Sequence, residues 1–232
     1  LCETLEADHA TLIHHTDVRL LSQENVLCRF YELREDMLIF CSQGYMADLA
    51  EALSDDLWCS RLAYLVDIFH ELNLLNRSMQ GRNENILTSA DKISAFQKKL
   101  TIWKKHAPTG NVEIFPSVVE INYQDILSLI LNHLDTLLAG LNKYFPSISL
   151  NRYDWVRNQF VEFEQSEEQF TLSEEEQLAS IASDRTLRLK HSELNLDAFW
   201  MLVEKEYTSI AQKALRLLVQ FSTSYLCELG FS

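Results

Sequence analysis

A chain of 232 residues, 47% hydrophobic and 23% charged, is long enough to bury one large core or two small ones. Only 5 Gly and 3 Pro leave little material for turns, which favours helices over a many-stranded sheet. A formal net charge of −14 excludes a surface that grips phosphate throughout, because nucleic-acid binding leaves a basic footprint.

In chain order, "ADHATLIHHTDVR" comes first and offers Asp8, His9, His14, His15 and Asp17 as metal ligands. His9 and His14 are five apart, which does not align them on one helix face as a zinc-binding i, i+4 pair requires. No HxxxH or Cys pair completes a set, so no metal site is expected and surface or capping histidines are the simpler reading. Cys2, Cys28, Cys41, Cys59 and Cys227 form no CxxC, which reads as reduced thiols inside a cell. The acidic start has no apolar core of a signal peptide and no initiator Met.

Five segments then show helical periodicity. Val26, Phe30, Leu33, Met37 and Phe40 mark the first. The second opens with Ser54 as N-cap and Asp55 and Asp56 in its first turn, carries the stripe Trp58, Leu62, Leu65, Phe69, Leu72, Asn76, Met79, and closes at Gly81. The third begins at Thr88 and runs through Ile93, Phe96, Leu100 and Trp103 to a stop before Pro108. "NVEIFPSVVEIN" is β-branched and predicts a short extended connection. The fourth runs from about Tyr123 through Ile130, Leu134, Leu137, Leu141 and Tyr144 to Pro146, and its apolar run is broken by Asn132, His133 and Asp135, too interrupted for a membrane span. "SISLNRYDWVRNQF" predicts a loop entering another helix, with Tyr153, Trp155, Val156 and Phe160 as its apolar side. Seven Glu between Glu162 and Glu176 predict a solvated helix or linker, with Ser173 as a helix start. The fifth helix covers Asp197 onward, bent near Thr208 and Ser209, with Ile210, Ala214, Leu217, Phe221 and Tyr225 as one stripe. Each stripe is one face wide and needs a partner, so the fold class expected is all-α, a multi-helix bundle.

Chemistry is sparse. There is no GxSxG elbow and no P-loop. Lys92, Lys98, Lys99, Lys104 and Lys105 form two rows on the polar side of the third helix. They suit a phosphate backbone or an acidic segment, and a plain solvated face is the simpler account. Glu228 stands alone in the apolar "YLCELGFS". By itself it reads as a solvated acid at the edge of a stripe. Gly230 is followed by apolar Phe231 rather than polar residues, and both ends of the chain are expected to be cut.

Three strings go further: "LIHHTDVRLLSQENVLCRFYELRE", "LAYLVDIFHELNLLNRSMQGRNENILTSADKISAFQKKLTIWKKH" and "FWMLVEKEYTSIAQKALRLLVQFSTSYLCELGFS". In this order they resemble the C-terminal half of hAT-superfamily transposases, in the domesticated group of BED zinc-finger, SCAN-domain and transcription-factor II-I-repeat proteins. The resemblance covers nearly the whole chain. It implies residues 1–196 as a helical insertion-type domain, with an acidic linker near 162–184, and residues 197–232 as the start of the RNase H-like core helix and dimerisation region. Glu228 matches the third metal-binding carboxylate of active members. Its two partner aspartates would lie upstream of Leu1. One Glu cannot hold a catalytic divalent ion, which needs several converging oxygens. The resemblance therefore implies no enzyme and no cofactor in this chain; magnesium is implied only alongside an upstream catalytic core. "VRLLS" places Leu20 where the family has a tryptophan near the DNA end, while Arg19 is kept; a leucine cannot stack on a base as an indole does. "QEN" at Gln23 to Asn25 replaces a more usual basic–glycine pair.

The function expected is a non-catalytic, transposase-derived helical domain for protein interaction or self-association in a nuclear protein. A homodimer or another protein is the expected partner, with no membrane and no small-molecule substrate. The alternative is a DNA-binding portion of a hAT-type transposase that acts, with Glu228 inside a larger enzyme, in metal-dependent DNA strand transfer and is held to DNA by Arg19, Lys98, Lys99, Lys104 and Lys105, which predicts weak, salt-sensitive duplex binding.

Overall fold

A computed structural model describes residues 20–81, 83–119, 121, 123–145, 150–160 and 170–221. The described residues form an all-α, multi-helix fold, with no strand among them. The chain divides into two compact units. One comprises residues 1–77 and 95–144; the other comprises 78–94 and 145–232.

The first unit begins with α1 (Leu20–Glu32) and α2 (Arg34–Phe40). The sequence reads these as one helix, but Leu33 leaves helical geometry at φ −90°, ψ 7° and splits it. The hydrogen bonds Leu33 N to Arg29 O and Met37 N to Leu33 O keep the two pieces nearly continuous. A π-helical turn, Cys41–Tyr45, then ends at Gly44, whose φ of 100° only glycine adopts without strain. A helix absent from the sequence reading, α3 (Ala47–Ser54), follows.

The long α4 (Asp56–Ser78) is capped by Asp55, not Ser54: Asp55 Oδ1 accepts from Leu57 N at 2.9 Å, while the Ser54 hydroxyl donates back to Ala50 O as the last residue of α3. Its buried surface also differs from the expected stripe. Leu62 is buried, but so are Ala63, Tyr64, Val66 and Ile68, and Leu65 is exposed. α4 is the central helix of this unit and is covered on most sides, so a one-face periodicity does not describe it.

The helix α5 (Ile86–His106) starts two residues before Thr88, because Asn85 Oδ1 accepts from Leu87 N and Thr88 N. Its residues up to Ser94 belong to the second unit and those from Ala95 to the first. Gly110, at φ 90°, closes the turn after it. The stretch expected to be extended instead makes a helical turn, α6 (Pro116–Val119). Proline suits the first turn of a helix, where its missing N–H has no intrahelical role. A 3-10 turn at Tyr123–Ile126 leads into α7 (Leu127–Tyr144), which buries Ile130 and Leu134 as the periodicity predicts. The core joins these to Tyr64, Phe96, Leu100 and Phe115.

In the second unit, α8 (Asp154–Arg157) buries Trp155 and Val156. The helix α9 (Leu172–Ser183) opens with a reciprocal capping box between Thr171 and Glu174, so Thr171 rather than Ser173 is the start. Asp184 caps α10 (Arg185–Glu193). The last helix of the sequence reading is two: α11 (Leu196–Val203) and α12 (Thr208–Leu218), separated at Glu204–Tyr207, close to the expected bend. Ile210, Ala214 and Leu217 are buried as expected and pack with Trp155, Phe199 and Trp200.

Candidate interaction surfaces

Four of the five lysines placed on the third predicted helix, Lys98, Lys99, Lys104 and Lys105, lie exposed on the part of α5 that belongs to the first unit. Lys99 Nζ is 3.9 Å from Glu71 Oε2, and Lys104 Nζ is 2.6 Å from Asp135 Oδ1. Lys98 and Lys105 have no ion-pair partner among the described residues. Lys92 belongs to the other unit and lies against the Glu84 carboxylate and the Ser78 carbonyl. The basic stripe is therefore two free cations and three neutralised ones. Between the free pair at helical spacing stands Ile102, 54% exposed, so Lys98, Ile102 and Lys105 form one ridge.

Arg19 and Glu228 lie outside the described residues, as do His9, His14 and His15. Among the described residues, no group of three or more His, Cys, Asp or Glu is placed to hold a metal ion. No helix among them is long and apolar enough to cross a membrane.

The first unit also carries an open groove of about 460 Å³. Its apolar lining comes from Leu38 of α2, Leu53 of α3, Leu57 of α4 and Ile121 ahead of α7, with buried Ser60 beside them. Its rim carries Glu35, Asp56 and Asp125, with Arg34 as the only cation among the lining residues. That cation is occupied locally. Arg34 Nη1 donates to Tyr31 O at 2.9 Å, and its guanidinium sits 4.3 Å over the Tyr31 ring. Cys59 also lines the groove; burial pushes its thiol up, Arg34 opposes, and Asp56 and Asp55 add to the rise. A smaller pocket of about 170 Å³ in the second unit is lined by Asn83, Asn85, Asn195 and Asp197 over Leu215 and Leu218.

Beneath these surfaces are polar groups that no sequence pattern singled out. Glu24, 5% exposed, accepts from Asn73 Nδ2 and from Arg77 Nη2 (2.9 Å), and lies 2.7 Å from His70 Nδ1. Asp67 Oδ2 accepts from Val118 N at 3.1 Å. Burial raises the Asp67 carboxyl above its ordinary value, and hydrogen bonds from Ser117 and Val118 only partly offset this. The one available signal was acids at Asp67 and Glu71, i and i+4 within an apolar helix.

The hydroxyl of buried Tyr64 lies 3.0 Å from His133 Nδ1. Burial pushes the Tyr64 hydroxyl well above its ordinary value and His133 below 6.5. Both shifts favour a neutral pair in which Tyr64 donates and Nδ1 accepts. Below pH 6.5 the unfolded chain takes up a proton that the folded chain refuses, so stability falls as the pH drops from 6.5 towards the folded value. Asp67 acts with the opposite sign, since acidification relieves its buried charge. The comparison that isolates His133 is therefore wild type minus His133→Gln, by urea unfolding at a series of pH values. The difference is expected to slope below pH 6.5; a flat difference rejects the assignment.

Residues 1–108 match the family model of the FAM200/GTF2IRD2 helical domain. The match ends just after α5, so it takes in α1 to α5 and most of the groove lining. Over 242 aligned residues the chain is 27% identical to General transcription factor II-I repeat domain-containing protein 2 of Mus musculus. The alignment takes in 98% of this chain and 24% of that relative, so the chain spans about a quarter of the length of the curated relative it matches. The relative carries the II-I-repeat name of the group that the three sequence strings resemble. No solved structure matches the chain.

Proposed function

We propose that this chain is a transposase-derived, non-catalytic helical domain that acts through self-association or protein interaction in a nuclear protein. The observation that carries the reading is the match of residues 1–108 to a helical domain, together with the groove of the first unit, which combines apolar side chains with acids. Such a surface suits a protein side chain better than a phosphate backbone, because its rim is acidic and repels nucleic acid. The nuclear setting rests on the relative, whose name is that of a general transcription factor protein. The transposase origin rests on the resemblance of the three strings.

A DNA-holding role is the competing reading, and the free cations Lys98 and Lys105 favour it. Light scattering coupled to size-exclusion chromatography, with and without labelled duplex DNA at low and physiological salt, separates the two. A defined dimer with no DNA shift is expected. A salt-sensitive DNA shift, lost when Lys98, Lys99, Lys104 and Lys105 are changed to Glu, overturns the proposal in favour of DNA holding.

A further inference from the structure

We infer that the groove of one copy takes the α5 ridge of a second copy, so that Lys98, Ile102 and Lys105 are the contact by which the chain self-associates. The inference rests on the self-association reading and names its surface.

Three features of the groove define its occupant. The apolar side chains Leu38, Leu53, Leu57 and Ile121 in its lining suit an apolar side chain. Asp56 and Asp125 on the rim have no ion-pair partner among the described residues, and Glu35 reaches only its neighbour Arg34, at 3.5 Å with 82% of its side chain exposed. Arg34 itself is held by Tyr31, so the rim presents net negative charge outward. The occupant is then an apolar residue flanked by cations.

The ridge on α5 has that composition. Ile102 is more than half exposed although it neighbours the buried Trp103, and the cations four residues before it and three after it are the two of this stripe that no carboxylate among the described residues neutralises. Among the described residues, Lys99 and Lys104 have intramolecular carboxylates and Lys98 and Lys105 have none. In a chain of net charge −14, two copies otherwise repel, so the free cations meeting the free carboxylates also supply the attraction that association needs. Every copy carries both halves. A two-fold pair makes the contact twice, and a head-to-tail pair makes it once.

The test is a charge swap in the 232-residue chain. One variant carries Glu35→Lys and Asp125→Lys, and the other carries Lys98→Glu and Lys105→Glu. All four side chains are exposed, and helical circular dichroism checks that each variant folds. Each variant alone is expected to raise the dissociation constant at least tenfold by light scattering. An equimolar mixture is expected to recover wild-type association. Ile102→Ser is expected to weaken association without changing net charge. Variants that associate as wild type place the interface elsewhere and overturn this inference while self-association stands. Variants that weaken but do not recover on mixing overturn the groove–ridge pairing. A wild-type chain that is monomeric at every concentration removes the self-association reading and this inference with it.

Discussion

Trp200→Ala is expected to destabilise the second unit by about 3–5 kcal/mol, the range for truncating a large buried aromatic. Trp200 is fully buried, its Nε1 donates to Val156 O at 2.9 Å, and its ring stands edge-on to Trp155 and Phe199 with centroids 5.6 Å away in both cases. Truncation removes the ring from both aromatic neighbours and leaves the Val156 carbonyl without this donor, so cavity and hydrogen-bond costs add. Against the roughly 5–15 kcal/mol that hold a typical domain together, this is a large fraction. Trp200→Phe keeps most of the volume and loses the N–H, and about 1–2 kcal/mol is expected. Urea unfolding, with hydrogen exchange followed on α11 and α12 amides, measures both. Equal effects from the two substitutions would show that the hydrogen bond, not the packing, dominates.

The helical class was legible because the two sequence cues agree: scarce Gly and Pro, and apolar residues recurring at 3.6-residue spacing. Where a helix buries one face, the reading also found the right residues, as with Ile130 and Leu134 in α7 and Ile210, Ala214 and Leu217 in α12. It failed on α4. A helix covered on most sides has no single stripe, so the period picked out exposed Leu65 and passed over Tyr64 and Ile68. Helix starts were misplaced by a residue or two where cap-forming side chains stand close together. Ser54 and Asp55 compete at α4, and Asn85 and Thr88 at α5; which one caps depends on the backbone conformation the chain adopts there.

Little of the groove and of the lysine ridge was legible in the sequence. The lysines were found, but two of them are neutralised by carboxylates 28 and 31 positions away, Glu71 and Asp135. The groove assembles residues from Arg34 to Asp125, and none of its leucines, Leu38, Leu53 and Leu57, lay on a stripe that the periodicity picked out. Such a surface exists only once α2, α3, α4 and the approach to α7 are packed. Ile102 illustrates the same point. Its exposure follows from α5 turning Phe96, Leu100 and Trp103 inward.

Glu24→Ala is expected to cost about 1–3 kcal/mol and to loosen α1 from the first unit. Glu24 reaches α4 across 46 to 53 positions of sequence, through His70, Asn73 and Arg77. The energy is concentrated on Asn73, which is fully buried, whereas His70 and Arg77 are about half exposed and regain water when the carboxylate goes. Arg77→Ala is therefore expected to cost less than Glu24→Ala, and Glu24→Gln, which keeps an acceptor for Asn73, is expected to fall between wild type and Glu24→Ala. Cys28, one turn further along α1, reports on the same event. Burial pushes its thiol up, and Glu24, Glu32 and Asp67 push it further, so the docked helix protects it from alkylation. Removing Glu24 takes away one of those charges, and undocking takes away the burial, so Cys28 labelling mapped by mass spectrometry should accelerate in Glu24→Ala and much less in Arg77→Ala. Unchanged Cys28 labelling together with lost stability would place the role of Glu24 within α4 packing and not in holding α1.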